Sequence, residues 1–338
     1  MKKINIGIIG LGRVSQIAYL NQLVKIGKIN NIVICDNNIE LLKKVSIKYK
    51  IFKTYSSYLN MLNNENLDLV FLLVNRFYSE KIAEKILNDK KKIILFSEKP
   101  FALSFRNARK LSDIAKKRKK TFFVGYMKRC DDGVRLLKKR INKLNLGKIT
   151  SVNYFSFDGN SFENSINYIK YKFISRHKYK NSPIQRYLNT QSHSINLLQY
   201  LFGDLKYEYS NMSTAGEGTA IFKNKNGIQI SLTNKFNKKT LWHEKMSLFF
   251  EKGFIDVNIA APFFKNQKTK INYQKYNNSK NFKLKNQQAN WSFTNQINLI
   301  INYTYSKKNN KKIKLYPELC SAQSCLNEFK LAERIFTK

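Results

Sequence analysis

Cysteine, acidic residues and long apolar runs are all scarce in this 338-residue chain. Four cysteines, of which only Cys320 and Cys325 lie close together, make neither a disulfide framework nor a zinc-ligand spacing. No apolar stretch reaches the roughly 18 residues that a membrane-spanning helix needs. The start, Met1-Lys2-Lys3, is basic, but the apolar stretch after it is cut by Gly7, Gly10 and Gly12 and closed by Arg13, which makes a poor secretory signal. These absences imply a reducing cytoplasm, and no metal site is expected.

The shortage of acid is the loudest of the absences. Asp and Glu together number 22 against 62 Lys and Arg, for a net charge of +40. Such a charge ordinarily points to nucleic acid or an anionic surface. Two features argue against that partner. Of the basic residues 51 are Lys and only 11 are Arg, whereas bidentate recognition of phosphate and guanine favours arginine. The excess is also spread over the whole chain beside abundant Asn, Ile, Tyr and Phe, residues that AT-rich codons specify. Nucleic acid is therefore not expected, although a phosphorylated substrate remains compatible with the charge. The rest of the composition, 43% hydrophobic, 13% aromatic and 25% charged, is globular. At about 150 residues per domain the length suits two cores.

Residues 1–125 alternate strands with helices. Ile4–Ile9 is a short apolar strand ending in glycines, and residues 13–26 have helical apolar spacing. A second strand, 31–35, ends at Asp36. Residues 69–74 and 93–96 are unbroken apolar runs, as in strands buried on both faces of a parallel sheet. Helices are expected around 39–49, 79–87 and 104–116, and a further strand at 121–124. This is the pattern of a doubly wound α/β sheet with right-handed crossovers.

From about residue 148 strands follow one another instead. Residues 149–157 alternate; 218–222 and 228–232 flank Asn226-Gly227, a strong hairpin turn; 246–250 and 254–259 flank Glu251-Lys252-Gly253. Helices are expected over 188–202 and 319–336, and long polar loops over 158–182 and 265–290. Cys320 and Cys325 read as packing residues on the terminal helix. The expected second domain, 126–338, is α+β with a mostly antiparallel sheet.

Three segments carry chemistry. The first is Gly10-Leu11-Gly12-Arg13-Val14-Ser15, between the first strand and the first helix. It is G-x-G-x-x-G with Ser in third place. Gly10 permits the tight turn, Gly12 lets backbone approach a pyrophosphate, and the helix amino end supplies free N–H groups. Asp36 follows Gly12 by 24 residues, at the end of the second strand. A carboxylate there accepts bonds from a ribose diol and repels a 2′-phosphate, favouring NAD over NADP. The second segment is Glu98-Lys99-Pro100, placed after a strand, where open α/β sheets bind ligands. Pro100 steers Lys99 away from helical geometry and is a candidate for a cis bond.

Together with Val124-Gly125-Tyr126-Met127-Lys128-Arg129 and Leu146-Gly147-Lys148-Ile149, these motifs stand in an order that resembles the Gfo/Idh/MocA oxidoreductases over nearly the whole chain. The resemblance implies a Rossmann domain followed by an α+β domain with an open sheet, and a last helix that returns to the first domain. It implies nicotinamide-dependent oxidation or reduction of a CH–OH group on a sugar, sugar acid, inositol or nucleotide sugar, and assembly into dimers or tetramers. Cofactor contacts then fall to Gly10, Gly12, Arg13, Val14, Asp36, Glu98 and Lys99. Lys99 would orient the reacting oxygen.

The third segment is Asn189-Thr190-Gln191-Ser192-His193-Ser194-Ile195-Asn196, before an apolar helical run. It resembles the family's D-x-G-x-H-x-x-D. His193 matches the family's proposed acid/base, and imidazole titrates near neutrality. Asn189, at i−4, is expected on the same helical face. Both acids of the pattern are replaced, by Asn189 and Asn196, and an amide cannot exchange a proton. Val74-Asn75-Arg76-Phe77-Tyr78-Ser79 also replaces T-P-x-x-x-H. Lys99 and His193 are thus the expected catalytic residues, with Asn189, Arg129 and Tyr126 beside the substrate. The aromatic stretch 168–187, with Arg176, His177 and Arg186, is a candidate substrate loop. The competing reading is a non-catalytic NAD-sensing protein on the same fold.

Overall fold

The computed structural model describes residues 1–159, 168–170, 182–236, 242–277, 282–284 and 290–336. Arg176 and His177 lie outside the described residues. The chain divides into two compact units.

The first unit holds residues 1–125 together with 168–170 and Phe293–Leu326. Its strands are β1 (Ile4–Ile9), β2 (Ile29–Cys35), β3 (Thr54–Tyr55), β4 (Leu69–Leu72), β5 (Ile94–Glu98) and β6 (Phe122–Gly125). They pair in parallel in the order β6-β5-β4-β1-β2-β3. The order reverses between β1 and β4, which opens a crevice at the carboxyl ends of those strands. The central strands are apolar on both faces because helices cover both. Every residue of β4 is buried, and Ile4, Ile6 and Ile8 of β1 have no exposed surface. Each such side chain stabilises the fold by roughly 1.5–3 kcal/mol relative to an exposed one. Two of the helices that cover the sheet start on side-chain caps. Asn38 Oδ1 accepts from Leu41 N–H at 3.0 Å to open Ile39–Tyr49, and Ser104 Oγ accepts from Asn107 N–H at 3.2 Å to open Phe105–Lys117.

The second unit carries β7 (Ile149–Asp158), β8 (Leu205–Met212), β9 (Gly218–Asn224), β10 (Gln229–Phe236), β11 (His243–Phe250), β12 (Gly253–Asn258), β13 (Lys270–Lys275) and β14 (Phe282–Lys283). Their order is β14-β13-β12-β11-β7-β10-β9-β8, antiparallel except for β7 against β10. Alternate residues face the core: Val152 and Tyr154 of β7, Ile230 and Leu232 of β10, Met246 and Leu248 of β11 are all buried. The α/β plus α+β architecture expected from sequence is the one observed.

Two local expectations are corrected. The 265–290 loop contains β13 and β14, because Ile271 and Tyr273 continue the antiparallel register against Val257 and Ile255. The expected terminal helix 319–336 begins only at Leu326. Cys320–Ser321 forms a two-residue strand antiparallel to β6, so Cys320 is a strand residue at the sheet edge. Residues 293–326 cluster with the first unit, where the helix Ser292–Lys308 sets Phe293 edge-on against Tyr19, 5.9 Å between ring centres. No helix among the described residues is long and apolar enough to cross a membrane.

Candidate functional site

In the first unit the glycine turn is shaped by its own backbone. Gly10 has φ +94°, and a Cβ there would lie 2.8 Å from the carbonyl carbon and oxygen of Leu73. Gly10 N–H donates to the Cys35 carbonyl at 2.8 Å, which ties the turn to the end of β2. The helix that follows begins its ladder with Gln16 N–H on the Gly12 carbonyl at 3.1 Å. The N–H groups before Gln16 therefore precede the ladder and are the anion-binding donors of a helix amino end. From Ser15 to Leu20 the helix winds as a π-helix, a widened turn that often marks functional sites. Ser15 is fully buried, its hydroxyl finding no partner among the described residues. A larger side chain there would hold helix and strand apart.

Asp36 stands where the sequence puts it, at the end of β2. One carboxylate oxygen accepts from Leu11 N–H at 2.8 Å and the other from Asn38 N–H at 2.9 Å. Burial raises its pKa and these two bonds oppose that rise. Each oxygen keeps a second lone pair for a ligand hydroxyl. The turn, the unladdered N–H groups and this fixed carboxylate fit a dinucleotide.

Glu98 closes β5 and is tied down on both oxygens. It accepts the Tyr19 hydroxyl on Oε1 and Lys99 N–H on Oε2 at 3.2 Å. Burial raises its pKa against the Tyr19 bond and the Lys99 ammonium. Lys99–Pro100 is cis. Sequence reasoning passed over Gln16 and Tyr19. Gln16 is fully buried and clamps residue 169 to the glycine turn: Nε2 donates to the Leu11 carbonyl at 2.9 Å, while Oε1 accepts Ile169 N–H at 2.7 Å. Arg13 places its guanidinium over the Tyr168 ring at 5.1 Å. The signal available was a glutamine and a tyrosine within an apolar helical stripe.

In the second unit the helix expected over 188–202 is two helices, Pro183–Thr190 and Ser192–Phe202, joined at Gln191. Asn189 and His193 lie on different helices, so the shared-face argument from their i−4 spacing does not apply. At the joint Gln191 donates its amide to Asp158 Oδ2 at 2.8 Å. His193 is half-buried and meets the Tyr126 ring edge-on, 5.6 Å between centres at 87°. Tyr126 donates its hydroxyl to Glu328. Arg129 is 7% exposed, with Nε committed to Asn196 Oδ1 at 2.6 Å. Beside these lies a buried ion pair: Lys128 Nζ reaches Glu244 Oε2 at 2.6 Å, while Tyr154 donates its hydroxyl to Glu244 and Trp242 Nε1–H donates to Oε2 at 3.1 Å. Burial raises the Glu244 pKa and Lys128 opposes it. Neither Glu328 nor Glu244 was foreseen. Both are acids at inward positions of otherwise apolar segments, and that was their signal.

Comparison with known proteins agrees with this geometry. Residues 4–126 match the family model of the oxidoreductase family with NAD-binding Rossmann fold, Gfo/Idh/MocA. KijD10, a 3-ketoreductase from Actinomadura kijaniata solved with NADP and TDP-benzene, superposes with TM-score 0.77 at 14% identity, covering 98% of this chain and 97% of its own. The dehydrogenase MviM from Clostridium difficile superposes with TM-score 0.73 at 18% identity, covering 99% of both chains. A Desulfitobacterium hafniense protein assigned as an NADPH-dependent oxidoreductase gives 0.80 at 14% identity, covering 98% of this chain and 94% of its own. No curated protein sequence matches the chain. At these identities the superpositions show the fold. Residues 4–126, about a third of the chain, are thus similar to the NAD-binding Rossmann domain of the Gfo/Idh/MocA oxidoreductase family.

Proposed function

We propose that the protein is an NAD(P)-dependent dehydrogenase or reductase acting on a CH–OH group of a sugar, sugar acid, inositol or nucleotide sugar, with NAD preferred to NADP. The observation that carries this is the glycine turn with Asp36 fixed beside it by Leu11 and Asn38 N–H groups. When bound, nicotinamide supplies the hydride chemistry. The helix amino end after Gly12 holds the pyrophosphate, and Asp36 accepts the ribose diol. A 2′-phosphate would set a second anion against that carboxylate, which supports the preference for NAD. The NADP in the KijD10 complex makes NADP the second cofactor to test.

The Lys99 ammonium orients and polarises the reacting oxygen. His193 accepts the hydroxyl proton during oxidation and returns it during reduction. Asn189 holds a substrate hydroxyl as donor or acceptor, a task an amide performs without titrating. The nucleotide-sugar end of the substrate range is supported by the TDP ligand of KijD10.

The test is absorbance of reduced nicotinamide in the presence of NAD or NADP and a panel of sugars, sugar acids, inositols and nucleotide sugars. Turnover is expected, and Lys99→Met and His193→Ala should each lower it at least a hundredfold, with cofactor affinity near wild type in His193→Ala. Unchanged turnover in both variants would overturn the roles. Tight NAD binding without turnover on the whole panel would favour a cofactor-sensing protein, a reading supported by the missing acid at position 189.

A further inference from the structure

A buried guanidinium needs a counter-charge. Arg129 is buried, with its guanidinium on the Tyr200 ring at 5.2 Å and its Nε on Asn196 Oδ1. Asn196 is neutral, and residues 183–202, both helices of this segment, contain no Asp or Glu. The carboxylate comes from the far end of the chain. Asn196 Nδ2 donates to Glu328 Oε2 at 2.7 Å, and the Tyr126 hydroxyl donates to Glu328 Oε1. Glu328 is 1% exposed, on the helix Leu326–Phe336.

The order Arg129, Asn196, Glu328 fixes the amide head to tail. Its carbonyl accepts from the cation and its NH₂ donates to the anion. An aspartate at 196 would face Glu328 with acceptors only, so the amide at 196 and the acid at 328 require one another. Tyr126 links this chain to the imidazole, one end on Glu328 and its ring edge-on to His193.

We propose that Glu328 is a positioning residue for His193: it holds Tyr126 against the imidazole and balances Arg129, so that an imidazolium at 193 does not form beside an uncompensated cation. This rests on the acid/base role given to His193 above. The other charged groups around these elements are Asp158, bonded by Gln191; Asp131, bonded by Val134 N–H; the Lys128–Glu244 pair; and Lys138, whose Nζ sits 4.3 Å above the Tyr200 ring. The first three are already balanced or hydrogen-bonded, and Lys138 adds positive charge on the Arg129 side. Removing Glu328 therefore leaves an excess of positive charge, which disfavours the protonated ring.

The test needs neither substrate nor turnover. The chain has three histidines, so proton–carbon NMR of the full protein labelled at histidine Cε1 follows each through a pH titration. Glu328→Gln keeps an acceptor for Tyr126 and removes the charge. It is expected to move the His193 midpoint downward and leave His177 and His243 in place. Returning the acid to the helix, in Asn196→Asp with Glu328→Gln, is expected to restore both the midpoint and the thermal stability. A merely structural Glu328 would lower thermal stability in the single variant with the His193 midpoint unmoved, and that result overturns the proposal. If the single variant does not fold, the double variant decides: a folded protein with the wild-type midpoint supports the proposal, and no rescue overturns it. Absence of turnover on every substrate would count against the proposed reaction without altering this titration.

Discussion

The two units place their polar chemistry differently. In the first, the work falls to backbone: a glycine with φ +94°, N–H groups ahead of a helical ladder, and a carboxylate held by two N–H groups at a strand end. In the second it falls to side chains buried against a sheet whose covered face turns polar around Ser156, Asp158, Asn234 and Glu244. A backbone device is local and reads from a short motif. A side-chain network is assembled across the chain, as in the Tyr126–Glu328 bond between residues 202 apart, and no motif announces it. The comparison predicts that ligand binding fails most sharply on backbone changes in the first unit, and stability on charge changes in the second.

Gly10→Ala should have the largest effect. The new Cβ meets backbone atoms of Leu73 and Val74 at 2.8–2.9 Å in a conformation L residues disfavour. Dinucleotide affinity should fall roughly a hundredfold or more, about 3 kcal/mol, by calorimetric titration. Gly253→Ala in the second unit is as strained, with φ +150° and a Cβ 2.1 Å from the Gln274 carbonyl oxygen. It should cost stability in urea while the protein that remains folded binds dinucleotide normally. Equal loss of affinity in both variants would break the contrast.

Next comes Lys128→Met, which leaves Glu244 buried without its cation. The expected cost is about 3–5 kcal/mol in urea denaturation. Because the Glu244 carboxyl then favours its proton more strongly, the deficit should shrink in mild acid. The counterpart in the first unit, Tyr19→Phe, removes one donor from Glu98 and should cost about 1–2 kcal/mol. Its pH dependence follows from sign. The folded pKa of Glu98 is raised above the unfolded value, so its contribution is greatest below the ordinary carboxylate range and declines as pH rises through the folded value. The Tyr19 hydroxyl opposes that rise, so Tyr19→Phe should destabilise more at pH 8 than at pH 5. A pH-independent cost would mean that Glu98 does not change its protonation between those two pH values.

Legibility from sequence follows the same division. The strands β1, β4 and β5 were readable because burial on both faces leaves unbroken apolar runs, and the glycine turn because its residues are adjacent. Glu98 was readable as the end of β5, and Lys99 as the residue that follows it. The short strands β13 and β14 were not, since Asn272, Gln274 and Lys275 are polar positions of a strand next to the sheet edge, only part-buried, so alternation is lost. The joint at Gln191 was hidden because the apolar spacing of 188–202 continues through it; only the bond to Asp158 reveals it. Glu328 was hidden within the apolar stripe of Phe329, Leu331 and Ala332.

The smallest predicted effects concern helix starts, where both units use the same device and the contrast should vanish. Asn38→Ala removes the Oδ1 cap on Leu41 N–H and should cost about 1 kcal/mol. Ser182→Ala removes one half of an exposed capping box, whose two bonds are both 3.3 Å, and should cost about 0.5 kcal/mol. Asn38 also supplies the N–H that fixes Asp36, but that donor is backbone and survives the substitution. NAD affinity should therefore stay within about twofold of wild type in both variants. A selective loss of NAD affinity in Asn38→Ala would show that the side chain, through the helix start it caps, governs the direction of the Asp36 carboxylate, and that the dinucleotide site is less purely a backbone construction than its glycine turn suggests.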